Sequence, residues 1–447
     1  MSDHQFRSFR DGIPSLLALF ALFVAINRQF GNHGRFYGTA VFVLLLHGLK
    51  AIEPLLLIIL NYVLIKSIKK REFIVPFTWL YAIGSLALLE SPLSQSFNFW
   101  LWNGFLPRWN IVFKISILRL ISFNLDYHKR SEAQHSSSEC CPSDSLCHKC
   151  RVQNSSDDFG LKAYFMYIFY PPLYLSGPIM TFNDFSHQIK LKHHKFSRST
   201  FIYGLRLLVS MFTLEVILHL FHVCAIKTAS AWHQTFTPLA FASVAFFNLK
   251  IIWLKLLVIW RFARFFALCD GIDPPENMIR CMSNNYSTLM FWRSWHRSFN
   301  LWILRYLYVP LGGRKTSNWN IFPIFAFVAI WHDFNWQLLA WGCLIPLIIL
   351  PEILANWTAK RFRLHQLKNY REICAMAAAL NIFLLMVGNL VGFSVGVAGA
   401  KLMISKIFGQ GGFWFILTVL VTFYSASHLM FEIREEEFRR TGKYPSM

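Results

Sequence analysis

Apolar residues in this chain gather into long runs rather than recurring one helical turn apart. The runs include IPSLLALFALFVAI (13–26), TAVFVLLLHGL (39–49), PLLLIILNYVLI (54–65) and FIVPFTWLYAIGSLALL (73–89). Two more lie near the other end, LNIFLLMVGNLVGFSVGVAGA (380–400) and FWFILTVLVTFYSASHLMF (413–431). A helix crossing the hydrocarbon core needs roughly 20 mostly apolar residues at about 1.5 Å rise each. Several runs reach that length, and others are short or interrupted. The pattern predicts an all-α polytopic membrane protein with about 9–12 membrane segments, some re-entrant. They form a single membrane domain over residues 1–447. The first run is followed by NRQFGNHGRF, which offers no small-residue cleavage site, so it reads as a retained membrane helix.

Interruptions carry as much information as the runs. YFMYIFYPPLYLSGPIMTFNDF (164–185) contains Pro171, Pro172, Gly177 and Pro178, which a single helix does not accommodate. A broken helix at membrane depth survives only inside protein or along a cavity, because its freed backbone groups need partners. Helices are predicted to resume at 200–226 and at 238–262. CDGIDPPENMIRCMSNNYS (269–287) has the turn chemistry of a surface loop. The Ser- and Cys-rich stretch from 128 to 161 is low in complexity and predicted to be disordered. The polar tail EIREEEFRRTGKYPSM, from about 432 to 447, reads as solvated. No repeat of fixed period is apparent.

Composition sharpens this reading. Hydrophobic residues make up 55% and aromatic residues 17%, while charged residues are only 15%, against about 25% in soluble domains. A net charge of +21 would ordinarily raise nucleic acid as a partner. Here the basic residues flank apolar runs: Lys66, Lys69, Lys70 and Arg71; Lys190, Lys192, Lys195 and Arg198; Lys360, Arg361 and Arg363. That is the distribution of cytoplasmic loops beside anionic headgroups, with 66–71 and 190–198 facing the cytosol, and it argues against nucleic acid. Of nine cysteines, Cys140, Cys141, Cys147 and Cys150 cluster in ECCPSDSLCHKC. The cluster has two readings, a structural zinc site or reduced, lipidated thiols in a flexible loop. Cys224, Cys269, Cys343 and Cys374 are scattered through apolar segments and make no disulfide framework.

Two polar positions need a chemical reason. FWRSWHRSFNLWILRYLYVPLGGRK (291–315) is as aromatic as a membrane segment, yet carries Arg293, His296, Arg297 and Arg305. Taken as one helix over 291–308, it places His296 and Asn300 on one face and the pair Arg293 and Arg297 beside them. Trp292, Trp295, Phe299 and Trp302 line the other side, and Pro310 with Gly312 and Gly313 ends the helix. The plain reading is an interfacial helix whose arginines snorkel to phosphates, with His296 as a headgroup contact. His332 ends the run NIFPIFAFVAIW and is followed, after Asp333, by FNWQLLAWGCLIPLIIL. An ionisable residue flanked by apolar sequence is costly in hydrocarbon and points to function; the alternative is a core histidine satisfied by a neighbouring helix. Two such histidines suit proton abstraction from a hydroxyl. A desolvated neutral imidazole serves as the base, and a second polar group orients the acceptor or stabilises an oxyanion. No nucleophile elbow and no H-E-x-x-H metal motif is present. Direct transfer from an activated acyl donor, without a metal, is the simplest chemistry.

These stretches resemble the signature of the membrane-bound O-acyltransferases, and most of all their glycerol-uptake branch, implicated in remodelling glycosylphosphatidylinositol anchors. The likeness is carried by FWRSWHRSFNLWILRYLYVPLGG and IWHD, supported by RLISFNLDYH (119–128), YPPLYLSGPIMTFNDF (170–185), WRFARFFALCDGIDPPENMIRCMSNNYST (260–288) and FVAIWHDFNWQLLAWG (327–342). The resemblance implies a multi-helix fold around a tunnel through the bilayer of the endoplasmic reticulum. It implies that His332 stands at the position of the family's general base and His296 at its second polar position. Acyl-CoA would enter from the cytosol, with its phosphates on Arg293, Arg297 and Arg305. The acceptor, a hydroxyl of a lipid or lipid-anchored glycan, would come from the other side, with Asn300 beside His296. No cofactor is required. A distant likeness to Hedgehog acyltransferase raises haem on Cys281, against a plain buried or lipidated cysteine. The rival functions are a proton-coupled glycerol transporter, since intramembrane histidines also serve proton relays, and a regulatory partner with an inactive site.

Overall fold

The computed structural model describes residues 3–91, 104–106, 109–133, 156–191, 196–228, 237–313, 317–394, 396–407, 409 and 412–442. Among these residues every long regular element is a helix. In chain order they are α1 (His4–His47), α2 (Ile52–Ser67), α3 (Ile74–Glu90), α4 (Trp109–Ala133), α5 (Leu161–Ile168), α6 (Pro171–Tyr174), α7 (Phe182–Lys190), α8 (Arg198–Leu220) and α9 (Val223–Thr228). There follow α10 (Pro238–Cys269), α11 (Thr288–Ser294), α12 (Arg297–Ile303), α13 (Ser317–His332), α14 (Trp336–Arg361), α15 (Tyr370–Phe393), α16 (Gly396–Ile407) and α17 (Gly412–Thr441).

Seven stretches among the described residues are long and apolar enough to cross a membrane: His4–Gly31, Arg71–Glu90, Arg198–Leu220, Pro238–Cys269, Trp336–Arg361, Tyr370–Phe393 and Gly412–Thr441. Trp319–His332 is a shorter apolar helix. On α8, Val209 is 65% and Phe212 72% exposed. Apolar faces left this open belong against lipid rather than water. The architecture is that of an all-α polytopic membrane protein. The expected disordered stretch starts inside α4, which continues to Ala133. The cluster Cys140, Cys141, Cys147 and Cys150 lies outside the described residues.

The chain forms two compact units. The first comprises 8–209 and 258–276. Its centre is the expected break near Pro171 and Pro172, which separates α5, α6 and α7. Carbonyls freed there are claimed by Arg119 of α4, a guanidinium only 2% exposed. It donates to the carbonyls of Tyr167 at 3.2 Å, Ile168 at 2.7 Å and Leu173 at 2.6 Å. One fork of fixed donors thus replaces the helical bonds that the prolines remove. A second knot surrounds Asp270 at the end of α10. Asn27 donates to its carboxylate at 2.9 Å, Tyr170 at 2.7 Å and Arg35 at 3.3 Å, while Arg35 also reaches the Asp270 carbonyl at 3.1 Å. Every partner is buried, so this charge is compensated rather than solvated.

The second unit comprises 1–7, 210–257 and 277–447. Its helices approach through glycines. A Cβ at Gly342 of α14 would stand 2.8 Å from the Ala329 Cβ and 3.0 Å from the Phe325 carbonyl of α13. A Cβ at Gly392 of α15 would meet Trp341 of α14 at 2.5 Å. Small residues thus let α14 approach the backbone of α13 and let α15 close on the side chains of α14, as membrane helices commonly do. A separate apolar cluster joins Phe241, Ala245 and Leu249 of α10 to Leu390, Met403 and Ile407.

The segment 269–287 differs from the surface loop its turn residues predict. Asp270, Ile272, Asn277, Met278 and Asn285 are buried. The reason lies in distant partners. Within the second unit, Arg280 makes a bidentate pair with Glu437 of α17 at 3.0 and 2.9 Å, and Arg434 donates to the Asn284 carbonyl at 2.7 Å. Helix α17 therefore continues through the polar stretch to Thr441 and uses it to hold this segment.

The Arg119 fork yields a prediction. Arg119→Met should take the Arg119 donor from the buried carbonyls of Tyr167 and Ile168, while that of Leu173 keeps the Gly177 N–H, and destabilise the protein by on the order of 3 kcal/mol. Thermal unfolding of detergent-purified protein measures it; an unchanged midpoint would show that the break closes without Arg119.

Candidate active site

The expected single helix over 291–308 is broken in two. Helix α11 ends at Ser294, α12 begins at Arg297, and a π-helical turn follows over Leu304–Tyr308. Between the two helices His296 adopts a left-handed backbone, φ 45° and ψ 51°. Glycine takes this conformation freely; a histidine pays about 1–2 kcal/mol for it. No Gly or Pro stands between Trp292 and Leu307 to announce the break. The shared face of His296 and Asn300, and the Arg293–Arg297 pair beside it, rested on an unbroken helix and do not form as such. Asn300 remains linked to His296 through the backbone, donating its N–H to the His296 carbonyl at 3.1 Å.

The start of α11 is anchored twice. Ser287 accepts from the Met290 N–H at 3.1 Å, an ordinary N-cap. Glu352, in the middle of α14, accepts from the Leu289 N–H at 3.2 Å and from the Ser287 hydroxyl. A carboxylate at the positive end of a helix is favourable. At the other end of α11 the rings of Phe291 and Trp295 stack at 5.6 Å.

His332 is the last residue of α13 and is exposed. Its height in the unit follows from the glycine contact at Gly342, because α13 is registered against α14 there. Aromatic rings join the two histidines. Trp331 lies 4.8 Å from His332 and 6.3 Å from His296, between ring centroids. Phe299 packs on Trp331 at 4.6 Å and on His296 at 5.3 Å. Phe393 of α15 flanks His332 at 6.3 Å and packs on Trp341 at 5.2 Å. Trp292 fills the corner between Phe325 and Trp341, and its indole N–H is buried without a hydrogen-bond partner among the described residues. Polar groups back this wall. Gln337 donates to the Gly392 carbonyl at 2.8 Å, and Asn248 to the Ser394 hydroxyl at 2.9 Å.

The junction carrying His296 lies outside the seven candidate spans. His296 is half-buried, and that desolvation, reinforced by the nearby His332, lowers its imidazole to about 3. The ring is therefore neutral at physiological pH and offers one donor and one acceptor. His332, by contrast, is exposed. The pair thus divides into a recessed polar group and an accessible one, an arrangement suited to moving one proton while holding a second atom in place.

The arginines are distributed differently from the sequence reading. Arg293 is exposed on α11, Arg297 half-buried at the start of α12, and Arg305 half-buried in the π-helical turn, 5.5 Å from the Tyr306 ring centroid. They occupy three successive elements instead of one face. Glu352 and Asn277, which organise the junction, were missed by sequence reasoning. Glu352 lies in none of the quoted stretches, Asn277 lies in 260–288 among turn residues, and each acts on a helix that its own neighbours in sequence do not reveal.

Comparison with known proteins adds an independent finding. Residues 96–395 match the model of MBOAT, the membrane-bound O-acyltransferase family. Along nearly its whole length the chain is similar to Membrane-bound O-acyltransferase GUP1 of Saccharomyces cerevisiae, 37% identical over 99% of this chain and 83% of that one. It is also similar to Membrane-bound O-acyltransferase GUP1 of Millerozyma farinosa, 38% identical over 98% of this chain and 92% of that one. A more distant relative is mouse Protein-cysteine N-palmitoyltransferase HHAT, 30% identical over 59% of this chain and 55% of that one.

Because His296 stays neutral until far into acid, it contributes no titration near neutrality. His296→Ala should lower kcat about 100-fold while leaving the acid limb of the rate profile in place above about pH 5. A pH–rate series on both proteins checks this; a displaced limb would assign the titration to His296.

Proposed function

The chain belongs to the membrane-bound O-acyltransferase family and is an acyltransferase, and from that premise we propose that it moves a fatty acyl group from acyl-CoA to a hydroxyl of a lipid or lipid-anchored glycan. The observation that carries this reading is the pairing of a recessed, neutral His296 with an accessible His332 inside one aromatic cluster. His332 takes the proton of the acceptor hydroxyl as that oxygen attacks the thioester carbonyl. The C–O bond forms, the C–S bond breaks, and coenzyme A leaves as a thiolate that recovers the proton from the His332 imidazolium. The products are an ester and free coenzyme A, and the base is regenerated. His296 orients the acceptor oxygen through a ring nitrogen, aided by Asn300. Arg293, Arg297 and Arg305 receive the phosphates of the donor, for which guanidinium groups are well shaped.

The rings of Trp331, Phe299 and Phe393 around the histidines favour a long acyl chain, and the name of the mouse relative specifies palmitoyl transfer for that protein. The likeness to the glycerol-uptake branch supports remodelling of glycosylphosphatidylinositol anchors in the endoplasmic reticulum. Acyl-CoA is the one co-substrate in this scheme. Cys281 is exposed and lies in a polar setting with Lys250 and Ser283. That setting does not suit a porphyrin face, so no step is routed through haem; a Soret band in the purified protein would reverse this.

In membranes given radiolabelled palmitoyl-CoA and lysophosphatidylinositol, His332→Ala should reduce transfer by roughly 1,000-fold, with protein level and membrane insertion unchanged. Wild-type transfer by that variant would remove the mechanism. Glycerol uptake into sealed vesicles free of acyl-CoA would instead support the transporter.

A further inference from the structure

The first four N–H groups of any helix lack intrahelical partners. Helix α12 begins immediately after His296, and the N–H groups of its first three residues can be accounted for. Phe299 donates to the His296 carbonyl at 2.9 Å, which also accepts the first regular helical bond, from Asn300 at 3.1 Å. The other two go to a single residue upstream. Arg297 donates to the Asn277 carbonyl at 3.1 Å, and Ser298 donates to the Asn277 side-chain oxygen at 3.1 Å. Asn277 is fully buried, and its amide nitrogen has no hydrogen-bond partner among the described residues.

This accounting bears on His296. It occupies the N-cap position, where a polar side chain ordinarily folds back to accept from the second or third helical N–H. Here the His296 side chain makes no capping hydrogen bond. Its left-handed backbone turns the residue out of the helix, and the side-chain cap comes from Asn277 instead. Resting on the reaction proposed above, we propose that Asn277 is a positioning residue for His296: its two oxygens cap the helix in the histidine's place and keep the imidazole out of the helix cap. Without the Asn277 side chain the Ser298 N–H loses its acceptor, while the Arg297 N–H keeps the backbone carbonyl of residue 277; the side chain placed to replace the lost oxygen is that of the N-cap histidine itself.

The same geometry says which substitutes serve. An aspartate at 277 keeps the accepting oxygen. Its second oxygen takes the place of a nitrogen that has no hydrogen-bond partner among the described residues, and its charge sits at the positive end of a helix, where it is favourable. Alanine and leucine offer no side-chain acceptor, and leucine nearly preserves the volume.

The test uses the full-length protein purified in detergent, with palmitoyl-CoA and lysophosphatidylinositol as probes and rates counted per monodisperse protein. Asn277→Ala and Asn277→Leu should lower kcat roughly 10- to 100-fold, with the KM for palmitoyl-CoA unchanged. Asn277→Asp should recover most of that rate. In a His296→Ala background, removing Asn277 should cost less than about 2-fold more, because the group it positions is already gone. A folding role alone would reduce yield rather than kcat per folded molecule, and would persist in the double variant. If Asn277→Ala does not survive purification, Asn277→Leu carries the comparison. A kcat near wild type in both apolar variants, no rescue by aspartate, or losses that multiply in the double variant would each overturn the proposal. Wild-type turnover by His332→Ala would sink the parent reaction instead, which keeps the two failures distinct.

Discussion

In an apolar surrounding no backbone donor or acceptor can be left to water, so wherever this chain departs from a helix a side chain must close the gap. Arg119 closes the break around Pro171 with three bonds to carbonyls. Asn277 closes the break before α12 with two bonds from N–H groups, and Glu352 performs the same service at the start of α11. The three solutions obey polarity. Freed carbonyls draw a cation with several donors, whereas freed N–H groups draw an amide oxygen or a carboxylate.

The candidate site grows from that constraint. A residue held at a helix junction in a left-handed conformation is costly and persists only where its surroundings over-determine it. The caps on α11 and α12 do so for His296. His332 is placed by other means, through the close approach of α13 and α14 at Gly342 and the packing of Phe393 from α15. One histidine is thus set by hydrogen bonds and the other by the absence of side chains. Their meeting over Trp331 depends on both.

Much of this was legible beforehand. Long apolar runs announced the spans because bilayer thickness imposes a length. Pro171 and Pro172 announced a break because neither can donate. His332 stood out because charge is costly where its neighbours are apolar, and the long motif around His296 pointed to the family. The break at His296 was invisible, since no glycine or proline marks it. The burial of 269–287 was equally hidden. Its turn residues were read correctly as turns, but the arginine pairing with Glu437 that holds part of it inside comes from the far end of the chain.

By itself, then, the sequence determined the class of fold and the family and singled out two candidate histidines, because hydropathy, proline chemistry and motif content are properties of contiguous residues. Only the tertiary structure decided how those histidines differ. It recessed His296 and exposed His332, separated the three arginines, and gave Asn277 and Glu352 their tasks. Burial and capping depend on atoms distant in the chain, and no local window of residues contains them.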